Sequence, residues 1–138
     1  MTYNKLLPSV DEDIAPFWRA CKRHEFVLCR CKVCGSWSFP LSFCRNDHNE
    51  PYFGNIEWVT ASGKGKVFTF NIAHRVYLPA LASEVPYVIA MIELDEGPMM
   101  GSNIIGCDPY DVKVGMPVEV VFEDVTEEFT LPKFRPIR

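Results

Sequence analysis

The stretch Cys29-Arg30-Cys31-Lys32-Val33-Cys34-Gly35-Ser36-Trp37-Ser38-Phe39-Pro40-Leu41-Ser42-Phe43-Cys44-Arg45-Asn46-Asp47-His48 holds four of the six cysteines in a chain of 138 residues. Cys31 and Cys34 form a C-x2-C pair followed at once by Gly35. That is the spacing of a zinc knuckle: two thiolates on one tight turn, with glycine in the strained backbone position. A second half-site starts at Cys44. A symmetric ribbon would put a cysteine at position 47, and this chain has Asp47, then His48. Three residues compete for the fourth ligand. Asp47 keeps the ribbon register, and a carboxylate binds zinc. His48 is the better ligand chemically, at C-x3-H spacing. Cys29 stands behind both; on a strand it would point to the same side as Cys31. The expected metal set is therefore Cys31, Cys34 and Cys44, completed by Asp47 or His48. The zinc is expected to be structural, because no general base stands beside an open coordination position. A site that has lost its metal is the plainer alternative.

Outward from this stretch, Glu25 to Arg30 reads as a strand feeding the knuckle. Trp37 to Phe39 reads as its return, ended by Pro40. A zinc ribbon is expected over residues 25–60, with aromatic side chains covering an ion too small to make a core. Upstream lie an extended arm and a helix, in residues 1–24. Asp13 as N-cap puts Pro16 at the third helical position, where its missing N–H loses no bond. A capping box from Ser9 and Glu12 would bury Pro16 in the helix interior, so the later start is preferred. Ile14, Phe17, Trp18 and Cys21 then share one face, opposite Arg19, Lys22 and Arg23. So short a helix must dock on something. Either it packs on its own domain, or Phe17 and Trp18 anchor a partner.

Downstream, residues 61–138 carry five period-two segments with glycine-rich corners. They are Lys66–Ile72, Tyr87–Leu94, Met99–Ile105, Val118–Glu123 and a last one from Phe129. Phe68, Phe70 and Ile72 are expected on the core face of the first. A five-stranded Greek-key barrel of the OB type is the natural closure. The fold class is thus mainly β: N-terminal helix, rubredoxin-like zinc ribbon, OB-fold barrel. Cys107 and His74 read as structural residues. Gly63-Lys64-Gly65-Lys66 is too short for a phosphate-binding loop.

Hydrophobic content of 48% and aromatic content of 13% fit a core-bearing protein and argue against disorder. No apolar run reaches membrane-spanning length, and Met1-Thr2-Tyr3-Asn4-Lys5 lacks a signal-peptide apolar core. A cytoplasmic protein without membrane contact is expected, in which C-x2-C reads as metal rather than disulfide. The net charge of -4 withholds the basic footprint of a nucleic-acid binder. No nucleophile elbow or paired-carboxylate spacing appears.

A series of motifs in order resembles one known family. They are the Phe17-Trp18 helix, Cys31-x2-Cys34-Gly35 with Phe39-Pro40 and Cys44, Ser62-Gly63-x-Gly65-x-Val67, and Pro86-Tyr87-x-Ile89-Ala90. Glu93 to Gly97, Gly115-Met116-Pro117-Val118 and Leu131-Pro132-x-Phe134-Arg135-Pro136 complete them. The chain resembles the zinc-ribbon plus OB-fold acyl-CoA-associated proteins, the former domain of unknown function 35, over nearly its whole length. The resemblance implies a small non-catalytic subunit paired with a thiolase-superfamily enzyme: thiolases, hydroxymethylglutaryl-CoA synthases, acyltransferases or steroid side-chain aldolases. Other members are fused to or paired with hydratases of the hot-dog type. It implies structural zinc as cofactor, and an acyl-CoA thioester as substrate of the complex. Most members have a cysteine at position 47, where this chain has Asp47. Two other readings stand beside this one. A zinc ribbon with an OB-fold also suits a nucleic-acid-binding module, against which the acidic charge counts. A free-standing CoA binder is the third.

Overall fold

The computed structural model describes Tyr3, residues 5–39, Cys44, Asn46 and residues 54–137. Its one α-helix among these, α1 (Ala15–Lys22), precedes a three-stranded sheet: β1 (Val27–Cys31), β2 (Trp37–Ser38) and β3 (Ile56–Thr60). The strands run antiparallel in the order β2-β1-β3, with Leu28 opposite Val59 and Cys29 opposite both Trp58 and Ser38. Five more strands follow: β4 (Lys64–Ala73), β5 (Tyr87–Leu94), β6 (Met99–Ile104), β7 (Pro117–Asp124) and β8 (Thr130–Pro136). They close a barrel in the order β4-β5-β6-β8-β7, with β7 returning to pair with β4. That is the order of a five-stranded OB barrel, as the period-two segments predicted. The β3 strand was not predicted. Ile56, Trp58 and Val59 are only half-buried on a short segment, so its hydrophobic alternation is weak.

Helix α1 begins later than the sequence suggests. Its N-cap is Ile14, with Pro16 in the first turn, and Asp13 does not cap it. No side chain caps the helix; instead the Asp11 carboxylate accepts the backbone N–H of Asp13 (3.0 Å) and of Ile14 (3.1 Å) and holds the turn leading into it. The helix buries Phe17, Ala20 and Cys21, and burial pushes the Cys21 thiol up to about 12.

Phe17 is 1% exposed, and it decides what the helix docks on. Its ring lies 4.7 Å from Phe39, 6.2 Å from Trp58 and 6.4 Å from Phe26. Phe26 in turn meets Phe134 of β8 edge-on at 6.1 Å. Of the two alternatives, Phe17 takes the first: it anchors the chain's own core and is not an exposed partner anchor. Trp18, half-buried, packs edge-on against Phe129 at 6.0 Å. One continuous core runs from α1 through Leu28 to Val67, Ile92 and Phe134 of the barrel.

A second correction concerns Phe68, which is 54% exposed rather than in the barrel. The β4–β5 register shifts between Val67 and Thr69. This bulge makes Phe68 the extra residue, so the inward face is carried by Gly65 and Val67 before it. Phe70 and Ile72, half-buried, pack against the core after it. On β5 the alternation holds: Val88, Ala90, Ile92 and Leu94 are all buried.

The end of α1 is clasped to the barrel. His24, at φ 59, bonds Asp124 through Nε2 (3.0 Å) and stacks on Phe122. Asp124 also accepts the Thr130 hydroxyl, which with His24 holds its carboxyl below the usual range.

Three outcomes are expected. Phe17→Ala should cost about 3–5 kcal/mol in denaturant unfolding, the range for a buried aromatic. Gly65→Ala should destabilise by about 1–3 kcal/mol, because a Cβ would stand 2.5 Å from the Glu93 carbonyl oxygen. The lowered Asp124 carboxyl stabilises the fold above its unfolded pKa, and that contribution fades as pH falls through the folded one. Asp124→Asn should therefore flatten the acid limb of the stability curve, modestly for so exposed a group, and leave its neutral-to-basic shape unchanged.

Candidate metal centre

The knuckle grows out of the end of β1. Gly35 N–H bonds the Cys31 carbonyl (2.9 Å), and Cys31 N–H bonds the Ser36 carbonyl (2.9 Å). This tight reversal needs Gly35 at φ +73, the left-handed region where a side chain is strained. Arg30 braces the turn from outside, with its guanidinium over the Trp37 ring at 5.5 Å.

The turn brings Cys31, Cys34 and Cys44 together, with their Sγ atoms all within 4.8 Å of one another. Cys34 and Cys44 stand 3.5 Å apart. Sulfurs bonded at about 2.3 Å to one tetrahedral zinc lie about 3.8 Å apart, so the donor set fits such an ion. None of the six cysteines forms a disulfide. Cys29 is fully buried on β1 and lies outside this cluster. Asp47 and His48 fall outside the described residues.

Two polar residues that the spacing did not single out complete the arrangement. The Ser36 hydroxyl lies 3.0 Å from Cys34 Sγ and 3.6 Å from Cys44 Sγ. Asn46 donates its backbone N–H to Cys44 (3.4 Å) and its side-chain amide to Cys34 (3.5 Å) and to Ser36 (3.1 Å). Such donors orient thiolates and favour their ionised form. The Ser36 hydroxyl and backbone N–H, then Asn46, lower Cys34 to about 5. For Cys44 the Asn46 and Ser36 bonds pull downward, but burial and the neighbouring Cys34 and Cys31 sulfurs raise it overall. One thiolate is thus ready at neutral pH, and a cation would release the others. Among the described residues this is the single group of metal-ligating side chains. It faces a cleft of about 430 Å³ shared with Phe39, Ile56 and Met99.

The other residues weighed in the sequence take structural places. Cys107 packs against the core, and the His74 ring lies 5.9 Å from that of Tyr110. Lys66 of the glycine-lysine stretch pairs with Glu93 at 3.4 Å. Among the described residues no helix is long and apolar enough to cross a membrane.

Comparison with known proteins places this architecture. A family model for the ChsH2 C-terminal OB-fold domain matches residues 58–123, from β3 into β7. The chain is 35% identical over 131 residues to the probable enoyl-CoA hydratase alpha subunit of Thermomonospora curvata. That match covers 94% of this chain but 39% of the relative, so the chain spans about two-fifths of the hydratase subunit's length. It is 38% identical over 120 residues to a DUF35 domain-containing scaffold protein of Methanocaldococcus jannaschii, covering 86% of this chain and 82% of that one. Among solved structures it matches a chain of the Ltp2-ChsH2(DUF35) aldolase with a TM-score of 0.81 and 34% identity, over 94% of this chain and 98% of that one. Identity and coverage of this order, together with the helix, cysteine knuckle and barrel, show that the chain belongs to the DUF35 family.

Proposed function

We propose that this chain is a non-catalytic accessory subunit of a heteromeric thiolase-superfamily enzyme. The complex would form or cleave a C–C bond on an acyl-CoA thioester, with the chain helping to shape the CoA-thioester site and hold the assembly together. The observation that carries this reading is the overlay, at a TM-score of 0.81, on a chain of an aldolase whose name couples Ltp2 to ChsH2(DUF35). The relative named as an alpha subunit of an enoyl-CoA hydratase points the same way. The one reactive-looking cluster among the described residues has the chemistry of a structural thiolate site, which leaves the reaction to a partner.

Zinc is the metal this reading assigns, held by Cys31, Cys34 and Cys44. The fourth ligand would be Asp47 or His48, since Cys29 lies in the sheet interior. Bound there, the ion would cross-link the turn after β1 to Cys44 and so supply folding energy. The division into an arm and helix (1–24), a ribbon (25–60) and a barrel (61–138) goes with this proposal, as does residence in the cytoplasm without membrane contact. Nucleic acid is excluded from the reading. The charge is -4, and basic side chains on the barrel wall are paired: Lys133 with Glu123 at 2.8 Å, Arg135 with Glu119 at 3.2 Å.

Purified chain should carry one zinc equivalent by elemental analysis. Cys34→Ser should lose it and lower Tm by on the order of 10 °C, since a structural zinc is worth several kcal/mol. Of Asp47→Ala and His48→Ala, one should lose metal; full retention by both would return Cys29 to the ligand set. Co-expressed with a thiolase-superfamily partner from its own genome, the chain should co-elute at a fixed stoichiometry in gel filtration. Elution of the chain alone would sink the accessory-subunit reading.

A further inference from the structure

Among the described residues, the exposed large apolar side chains of the barrel strands all stand on one wall. Phe68 of β4 is 54% exposed, Ile89 and Met91 of β5 are 49% and 40% exposed, and Met99 of β6 is 37% exposed. The other exposed large apolar side chains lie on the N-terminal arm, in loops and turns, or after β8.

Strand register joins these residues into one patch. Ile89 and Met91, two residues apart, share the outer face of β5. Met91 pairs with Gly101, and its Sδ lies 3.4 Å from where a Cβ on that glycine would stand. Met99 pairs with Glu93, which makes it the diagonal neighbour of Met91. On the other flank Val67 pairs with Ile92 and Thr69 with Met91, so Phe68 is inserted beside them. The bulge that turns Phe68 out of the core thus aims it at this patch.

The rest of the barrel surface is built differently. Side chains of β7 and β8 close ion pairs, Lys133 with Glu123 and Arg135 with Glu119. Helix α1 lies against β8, and the arm residues Tyr3, Lys5 and Leu6 line the groove beside Ile104 of β6 and Leu131 of β8. On the β4–β5–β6 wall, Lys66 and Glu93 neutralise each other at 3.4 Å, next to Met99. An apolar wall bearing an aromatic ring and two methionines suits a protein surface, and it offers no cations to a phosphate backbone. A closed barrel has no free strand edge to extend, so a partner must be gripped by such side chains.

We infer that the β4–β5–β6 wall is the face on which the thiolase-superfamily catalytic subunit docks, with Phe68 as its anchor. The inference rests on the accessory-subunit reading and adds where the partner sits. The aldolase whose chain overlays this one carries two protein names, Ltp2 and ChsH2(DUF35), and the hydratase relative is named an alpha subunit. Both favour a different protein over a second copy as the occupant.

The test uses the full chain, its co-purified complex with the thiolase-superfamily partner, and the variants Phe68→Glu, Met91→Glu and Val10→Glu. In hydroxyl-radical footprinting, Phe68, Met91 and Met99 should be oxidised in the free wild type and protected in the complex. Phe68→Glu and Met91→Glu should each weaken binding about thirtyfold or more, the loss that marks a hot-spot residue. Val10→Glu, exposed on the arm, should bind as the wild type does. Circular dichroism checks that the variants fold, and the footprint tests the wild type independently of them. Wild-type affinity in both wall variants, or undiminished oxidation of the three side chains in the complex, overturns the inference and leaves the accessory-subunit reading standing. So does self-association through these residues, which would make a second copy the occupant. A wild type that retains no thiolase-superfamily protein removes the accessory-subunit reading and this inference together.

Discussion

The burial of Phe17 is the contact on which the rest of this structure depends. A three-stranded sheet and a small barrel each have too little apolar interior to be strongly stable alone. Phe17 sits where they meet α1, against Phe39 just after β2, Trp58 of β3 and Phe26 above the barrel's Phe134. Each such aromatic pair is worth about 0.5–1.5 kcal/mol beyond its buried area. The helix is a wedge joining two β units into one core. The cysteine knuckle stands at the far end of the β1 strand that this core holds in place.

That arrangement shows how a cysteine cluster with polarised sulfurs could still serve a structural role. The Ser36 hydroxyl and the Asn46 amide lower the Cys34 thiol toward its ionised form. In an exposed catalytic site this would make a nucleophile. Here two more sulfurs converge on the same point, and no histidine or carboxylate among the described residues joins them. Polarised sulfurs in such a group suit a cation, which if bound would stabilise the turn leading back to the core.

Much of this was legible in the chain. The C-x2-C-G spacing read correctly because the turn is local: its geometry depends on five residues and one glycine. The inward face of β5 read correctly because an unbroken strand keeps its period. Phe68 was misread because one bulge inverts every side chain before it relative to those after, and a bulge leaves no mark in hydrophobic alternation. The role of Phe17 was ambiguous because an aromatic stripe suits an internal core and a partner surface equally well; only the positions of Phe39, Trp58 and Phe26 decide. Asp13 does not cap α1 because the turn before the helix is held by the Asp11 carboxylate, a geometry that sequence spacing does not encode. Ser36 and Asn46 escaped notice because their work is done on sulfur, close to the cysteines but outside any ligand pattern.

On the proposed reading, the chain would contribute by fixing a surface, not by turning over substrate. The most direct measurement is a steady-state assay of acyl-CoA C–C bond cleavage with three samples: the thiolase-like partner, this chain, and the two together. The account predicts full turnover only in the mixture, none from this chain alone, and loss of the gain when Phe17→Ala replaces the wild type. Turnover by this chain alone, or a partner equally active without it, would contradict the account.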